Sequence, residues 1–184
     1  MRPFKILSRE KVLCEKFYEV EKQIVELPDG SQGEWYIKVI NDAVIIIPIT
    51  EDGQVLLQHN YKHGCGEVVV EFCAGLIDDG ETWKEATPRE LSEETGYEAE
   101  TYIKLGEVYA SPTSSKMKYH IILAQNIKKV RAAHQEPEEQ IETFFVKTLQ
   151  AAAELLQNDE NKTSSGTITA LGFAQKYFGS TSQR

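Results

Sequence analysis

Along most of this chain hydrophobic and polar positions alternate over short blocks, and they stretch into helical periods at only a few places. Residues 16 to 26 and 34 to 40 are rich in Val, Ile, Tyr and Phe. They flank Leu27-Pro28-Asp29-Gly30-Ser31, a run of turn formers, so the pattern predicts a hairpin. Val44 to Thr50 reads as a buried strand, Glu51-Asp52-Gly53 as a turn and Val55 to Gln58 as the returning strand of a second hairpin. Val68 to Phe72 is a further strand that ends in Cys73-Ala74-Gly75, and Leu76 to Gly80 is a loop. Thr82 to Thr95 has helical spacing with Gly96 placed as its C-cap. Strands are expected near 101 to 110, 119 to 125 and 141 to 147, and the polar stretch Lys128 to Gln140 is a loop. A short alanine-rich helix follows at Gln150 to Gln157. A longer helix at Gly166 to Phe178 carries Ile168, Leu171, Ala174 and Phe178 at helical spacing, and the last residues are expected to fray.

Strands outnumber helices and do not alternate with them one for one, which predicts an α+β fold with a mixed sheet rather than a doubly wound parallel one. No internal repeat interrupts the pattern. The expected division is a β extension over residues 1–40 and a main domain over 41–180.

Composition narrows the picture. At 184 residues, 41% hydrophobic and 27% charged, the chain has the size and balance of one globular domain with an extension. Its longest apolar run, Ala43 to Ile49, contains Pro48 and falls far short of the roughly 20 residues a membrane helix needs. The N-terminus has no apolar segment behind its charges, so the cytoplasm is the expected location. Cys14, Cys65 and Cys73 lack metal-ligand spacing and read as free thiols, and the four scattered histidines make no zinc pattern. A net charge of −9 repels nucleic acid and anionic lipid. A phosphate-bearing partner would need local cations or a metal to offset that field.

The run Arg89-Glu90-Leu91-Ser92-Glu93-Glu94-Thr95-Gly96 is where chemistry enters. Glu90 with Glu93 is an i, i+3 pair and Glu90 with Glu94 an i, i+4 pair, so three carboxylates crowd one helix face. Each such pair costs roughly 0.2–0.5 kcal/mol, and Glu93 and Glu94 also stand at the negative end of the helix dipole. A hard divalent cation reverses the sign of that cost, because Mg²⁺ takes oxygen ligands and keeps positions open for water and phosphate. A solvated acidic face is the alternative for the bare cluster.

Gly75-Leu76-Ile77-Asp78-Asp79-Gly80-Glu81, seven residues, then Arg89-Glu90-Leu91-Ser92-Glu93-Glu94-Thr95-Gly96-Tyr97 reads G-x5-E-x7-R-E-U-x-E-E-x-G-U. This resembles the Nudix box, with every fixed Gly, Glu and Arg present. Tyr97 stands where an aliphatic residue is commoner. Pro88 falls inside the helix, for which Thr87 as N-cap with Glu90 at N3 and Thr82 with Glu85 are rival starts; a helix from about residue 82 with a kink near Pro88 is expected.

The resemblance implies an α/β/α sandwich that cleaves a nucleoside diphosphate linked to another moiety with Mg²⁺ or Mn²⁺. By matching position it makes Glu90 and Glu94 the main metal ligands and Glu93 a further ligand or acid/base. The carbonyl of Ala74 completes the shell, and Gly75 lets the backbone approach the ion. Arg89 with Glu81 is a structural ion pair, and Gly96 closes the box. Outside the box, Glu71-Phe72-Cys73-Ala74-Gly75 is similar to the E-x-P-A-G of the ADP-ribose pyrophosphatase branch, with Cys73 in place of proline, and Pro112 matches that branch's later proline. Leu57-Gln58-His59-Asn60-Tyr61-Lys62 resembles a strand end whose arginines hold phosphate, so His59 and Lys62 are substrate candidates. Trp35 is a candidate for stacking a base, and Glu139 or Glu93 for positioning the attacking water. The resemblance further implies a homodimer formed through the N-terminal extension. The expected reaction turns ADP-ribose and water into AMP and ribose 5-phosphate. Another nucleoside diphosphate sugar such as GDP-mannose, or a sensing module without turnover, are the alternatives.

Overall fold

The computed structural model describes residues 2–15, 18–135 and 139–181. The expected strand start at Lys16 and Phe17, the acidic-loop residues Glu136, Pro137 and Glu138, and residues 182–184 of the expected fray lie outside the described residues. In chain order the elements are β1 (Lys5–Glu15), β2 (Tyr18–Glu26), β3 (Gln32–Val39), β4 (Ala43–Ile49), β5 (Val55–Lys62), β6 (Glu67–Glu71), β7 (Cys73–Leu76), α1 (Trp83–Thr95), β8 (Tyr97–Glu98), β9 (Thr101–Tyr109), β10 (Lys118–Gln125), β11 (Lys128–Lys129), β12 (Ile141–Val146), α2 (Leu149–Leu156) and α3 (Ser165–Thr181). They form two units, Met1–Asp42 with Tyr109–Lys118, and Ala43–Val108 with Tyr119–Arg184.

In the first unit β1, β2 and β3 make an antiparallel sheet in that order. The turn between β2 and β3 closes through its own chemistry. Asp29 Oδ1 accepts from the Ser31 amide at 3.0 Å and hydroxyl at 2.6 Å, and Gly30 supplies the left-handed φ of 83°. The expected hairpin is therefore β2–β3, and β1 is an added strand. Its apolar residues fall in the doublets Ile6-Leu7 and Val12-Leu13, and irregularities between Ile6 and Ser8 and between Lys11 and Leu13 break its register with β2. A strand of that kind carries no period-2 signal.

In the second unit the seven-stranded sheet runs β12-β5-β4-β10-β9, with β6 paired to β5 and β7 to β4. The uninterrupted apolar run of β4 explains its central place: β10 lies parallel beside it, Ile45 opposite Ile121, and β7 antiparallel, Ile45 opposite Ala74. β4 meets β5 at Ile49 and Val55, around the turn at Gly53 (φ 85°). From there β5 diverges to pair with β6 and β12. Alternation then sorts the core into two layers. Ile45, Ile47, Leu57, Phe72 and Leu123 pack against Ala152 and Leu156 of α2 and Leu171 of α3. Val44, Ile46, Leu56 and Ile122 pack against Ala86 and Leu91 of α1. The result is α+β with helices on both faces of a mixed sheet.

Of the two possible helix starts, the fold uses Thr82. The Glu85 carboxylate accepts from the Thr82 amide at 2.8 Å and hydroxyl at 2.7 Å, and α1 runs through Pro88 to a left-handed Gly96 (φ 75°). Leu76 belongs to β7 rather than to a loop, Lys128 and Lys129 pair with β8, and α3 continues past Phe178 to Thr181. Among the described residues no helix is long and apolar enough to cross a membrane.

Candidate active site

The C-terminal half of α1 lies over β7, and one glycine sets how closely. A Cβ on Gly75 would stand 2.0–2.2 Å from the Glu90 carboxylate, so only a residue without a side chain leaves Glu90 its place. Arg89 holds the loop beneath. Its Nε and Nη2 donate to the two oxygens of Glu81 at 2.9 and 2.7 Å, a bidentate fork that lysine could not reproduce. Nη2 also donates to the Leu76 carbonyl at 3.0 Å, and Nη1 to Glu90 at 2.8 Å and Glu93 at 3.1 Å. Glu81 accepts from the Asp78 amide at 3.0 Å, and the fork from Arg89 holds its carboxyl below the usual range. The ion pair implied between Arg89 and Glu81 is present and forms the hub of the loop.

Glu94 is only 3% exposed; its Oε2 accepts from Gln58 Nε2 at 3.2 Å and from the Ala74 amide at 3.2 Å. Burial pushes its carboxyl up to about 8, against the opposing pull of the Cys73 thiol and Gln58. Burial likewise raises Glu90 to about 7, although Arg89 works the other way. The negative charge of Glu139 adds to the upward push on both, which places that residue within the same electrostatic field. Glu93 is 41% exposed at its side chain and reaches outward from the helix.

Two carboxylates buried at this cost call for a proton or a cation. Among the described residues no three His, Cys, Asp or Glu side chains already converge as a ligand cluster. Arg89 engages Glu90 and Glu93, while Gln58 and the Ala74 amide engage Glu94. The donor set fits Mg²⁺ or Mn²⁺: it is all hard oxygen, one carboxylate is nearly sealed from solvent, and Gly75 lets the Glu90 carboxylate lie directly against the β7 backbone.

Other candidates separate. Gln58 faces Glu94, so strand alternation turns His59 to the opposite face of β5, where it stacks on Phe144 with centroids 4.6 Å apart. There His59 lines a cleft of about 360 Å³ with Tyr61, Val68 and Glu142. Lys62 shares the Gln58 face, but its Nζ lies 2.8 Å from Glu71, a carboxylate that also accepts from Asn60 at 3.1 Å. Trp35 is half-buried on β3 of the first unit, 5.8 Å from the Phe4 ring between centroids, with Gly33 leaving room for its indole. Pro112 is exposed in the first unit's Ser111–Ser114 turn.

Two features escaped the sequence reading. Gln58 gives no local sign of contacting a helix more than thirty residues on. The basic run Lys128-Lys129-Val130-Arg131 caps the acidic helix end. Lys129 Nζ donates to the Thr95 carbonyl at 3.1 Å, Arg131 Nε to the Ser92 hydroxyl at 2.8 Å, and the amides of Val130 and Arg131 to the Gly96 carbonyl at 3.0 and 3.2 Å. These cations stand where the helix dipole is negative and carbonyls lack intrahelical partners. A cluster of cations following an over-acidic helix terminus was the available signal.

Comparison with known proteins agrees with this geometry. The NUDIX domain family model matches residues 39–166. An ADP-ribose pyrophosphatase of Bacillus subtilis (strain 168) is 26% identical over 156 residues, 85% of this chain and 84% of that protein. The ADP compounds hydrolase NudE of Escherichia coli (strain K12) is 32% identical over 135 residues, 72% of each chain. A crystal structure of an ADP compounds hydrolase superposes with a TM-score of 0.86 at 26% identity, covering 98% of this chain and 97% of that one.

Proposed function

Because this chain belongs to the Nudix hydrolase family, we propose that it hydrolyses the pyrophosphate bond of a nucleoside diphosphate sugar, ADP-ribose plus water giving AMP and ribose 5-phosphate. The observation that carries this reading is the pair of carboxylates withdrawn from solvent, half-buried Glu90 in the Gly75 cradle and buried Glu94, built on the Arg89–Glu81 fork. Glu90, Glu94 and the Ala74 carbonyl, with Glu93 at the exposed margin, would hold Mg²⁺ or Mn²⁺. When bound, such an ion neutralises the diphosphate and lowers the pKa of water. Arg89 fixes the rotamers of Glu90 and Glu93 before substrate arrives, so that they need no reorganisation during the reaction. Glu139, or failing it Glu93, takes the proton from the attacking water. Trp35 remains the candidate for stacking the base and Pro112 a candidate for substrate contact.

Lys62 gives a reason to keep a second substrate in view. Held by Glu71, it is a poorer phosphate clamp than an unpaired arginine, which loosens the match to ADP-ribose and leaves another nucleoside diphosphate sugar such as GDP-mannose as the second reading. A panel of these sugars with Mg²⁺, read by phosphate released after phosphatase treatment, should rank ADP-ribose first and lose all turnover in EDTA. Binding of ADP-ribose without turnover at saturating Mg²⁺ would replace the enzyme reading with a sensing module. Glu139→Gln with undiminished kcat would transfer the base role to Glu93.

The same reading includes a homodimer formed by the N-terminal sheet. β1 is an edge strand whose every residue is exposed, among them Phe4's neighbours Ile6 and Leu7 and, further on, Val12 and Leu13. An open strand edge with apolar side chains on it is suited to pairing with a second copy.

A further inference from the structure

Gln135 lies in the polar stretch between β11 and β12 and belongs to no motif, yet its side-chain amide ties two distant elements together. Its Nε2 donates to the carbonyl of Glu94 at 3.4 Å and to the carbonyl of Ile141 at 2.9 Å. A primary amide carries two N–H bonds, so one nitrogen can serve both acceptors. Glu94 stands in the last turn of α1, where carbonyls have no intrahelical donor. Ile141 opens β12 and begins its register with β5 opposite Asn60.

The backbone on either side is anchored in the same way. The His134 amide donates to the Glu93 carbonyl at 2.8 Å, and the Tyr61 amide donates to the Gln140 carbonyl at 3.2 Å. Residues 134 and 135 are thus fixed to the metal-site helix, and residues 140 and 141 to the sheet. Glu139 immediately precedes the second anchor, Gln140 and Ile141, so its backbone is tied to both β5 and Gln135 within two residues. Among the described residues Gln135 is the one whose side chain bonds to both anchors at once. Leucine would fill its volume without donating, and glutamate would present acceptors to two carbonyls.

We propose that Gln135 is a positioning residue for the reaction, clamping the start of β12 to the backbone of Glu94 and so setting where Glu139 stands relative to the carboxylates of Glu90 and Glu94. The proposal rests on Glu139 being the group that takes the proton from water. It assigns Gln135 no contact with substrate.

Two measurements on the full chain test it with Gln135→Leu, Glu139→Gln and the double variant. Hydrogen exchange, without metal or substrate, should be faster by about tenfold or more in the 139–146 segment of Gln135→Leu, while α1 keeps its protection. Unchanged exchange there overturns the clamp. With Mg²⁺ and ADP-ribose, Gln135→Leu should lower kcat roughly 10- to 100-fold, the cost of displacing a reacting group by about 1 Å, with KM held within about threefold. The same substitution on Glu139→Gln should cost nothing further. An equal kcat loss in both backgrounds, or a change confined to KM, marks a merely structural role and overturns the proposal, as does Glu139→Gln with full kcat. If the wild-type chain hydrolyses no nucleoside diphosphate sugar, the proposed reaction fails, and the exchange result still decides the clamp.

Discussion

Glu90 occupies the volume in which any other residue at position 75 would put its first side-chain carbon. The atoms that Gly75→Ala would displace are the far end of a flexible side chain rather than backbone, so the fold can yield cheaply while the carboxylate cannot stay where it is. Gly75→Ala should therefore lower kcat by about 100-fold or more with little change in Tm, measured by steady-state kinetics and thermal melts; unimpaired turnover would show that Glu90 needs no cradle. Burial of Glu90 and Glu94 makes a second prediction. Their folded values of about 7 and about 8 lie above the ordinary carboxyl value of 4.5. The metal-free folded state thus holds more protons than the unfolded chain between about pH 4.5 and 8, and stability rises with pH only where the unfolded state holds more. The stabilisation from these two groups is complete below that window and is lost as pH climbs through it. In EDTA, Tm should fall from pH 5 to pH 8, and Mg²⁺ should restore more of it at pH 8 than at pH 5. A flat profile in EDTA would contradict the burial of the pair.

For whole elements, legibility followed the range of the interactions that make them. α1 was readable because its signals are local: Thr82 and Glu85 are three apart, Gly96 follows the last turn, and Glu90, Glu93 and Glu94 share a face by helical spacing alone. Pro88 looked like a rival start, but the reciprocal bonds at Thr82 begin the helix a turn and a half earlier, leaving Pro88 without a donor for the Lys84 carbonyl. Pro88→Ala should then stabilise the protein by about 1–3 kcal/mol in denaturant titration without altering kcat; a loss of stability would mean that the fold uses the ring. β1 was missed because exposed on every residue it has no buried face to impose alternation. β7 does not read as a strand of its own, only as the end of the one before it, because its four residues, two of them Ala74 and Gly75, carry too little strand character and are held by pairing with β4.

Over the whole molecule, a net charge of −9 and a diphosphate are compatible only where cations or a metal offset the field, and Arg89, Lys129 and Arg131 are already engaged by Glu81 and Glu90, the Thr95 carbonyl and the Ser92 hydroxyl, which leaves that part to a divalent ion. The open edge at β1 yields the remaining prediction: light scattering at micromolar concentration should give twice the 20.8 kDa chain mass, and Leu7→Lys with Leu13→Lys should reduce it to one. A wild-type monomer would remove the dimer.

By itself the sequence determined the fold class, the turns at Gly30 and Gly53, the helix end at Gly96 and the crowding of Glu90, Glu93 and Glu94 on one helix face, because each depends on spacings of a few residues that backbone geometry converts directly into position; the Arg89–Glu81 pair was implied by the resemblance to the Nudix box. Tertiary structure alone decided which face of β5 meets α1. Alternation requires only that Gln58 and His59 point apart. It was the packing of Leu56 with Leu91 on one side and Leu57 with Leu156 on the other that sent Gln58 to Glu94 and His59 to Phe144. The pairing of Lys62 with Glu71 and the reach of Gln135 to both Glu94 and Ile141 have the same origin, since a bond between residues far apart in the chain exists only after the sheet register and helix docking have brought them together.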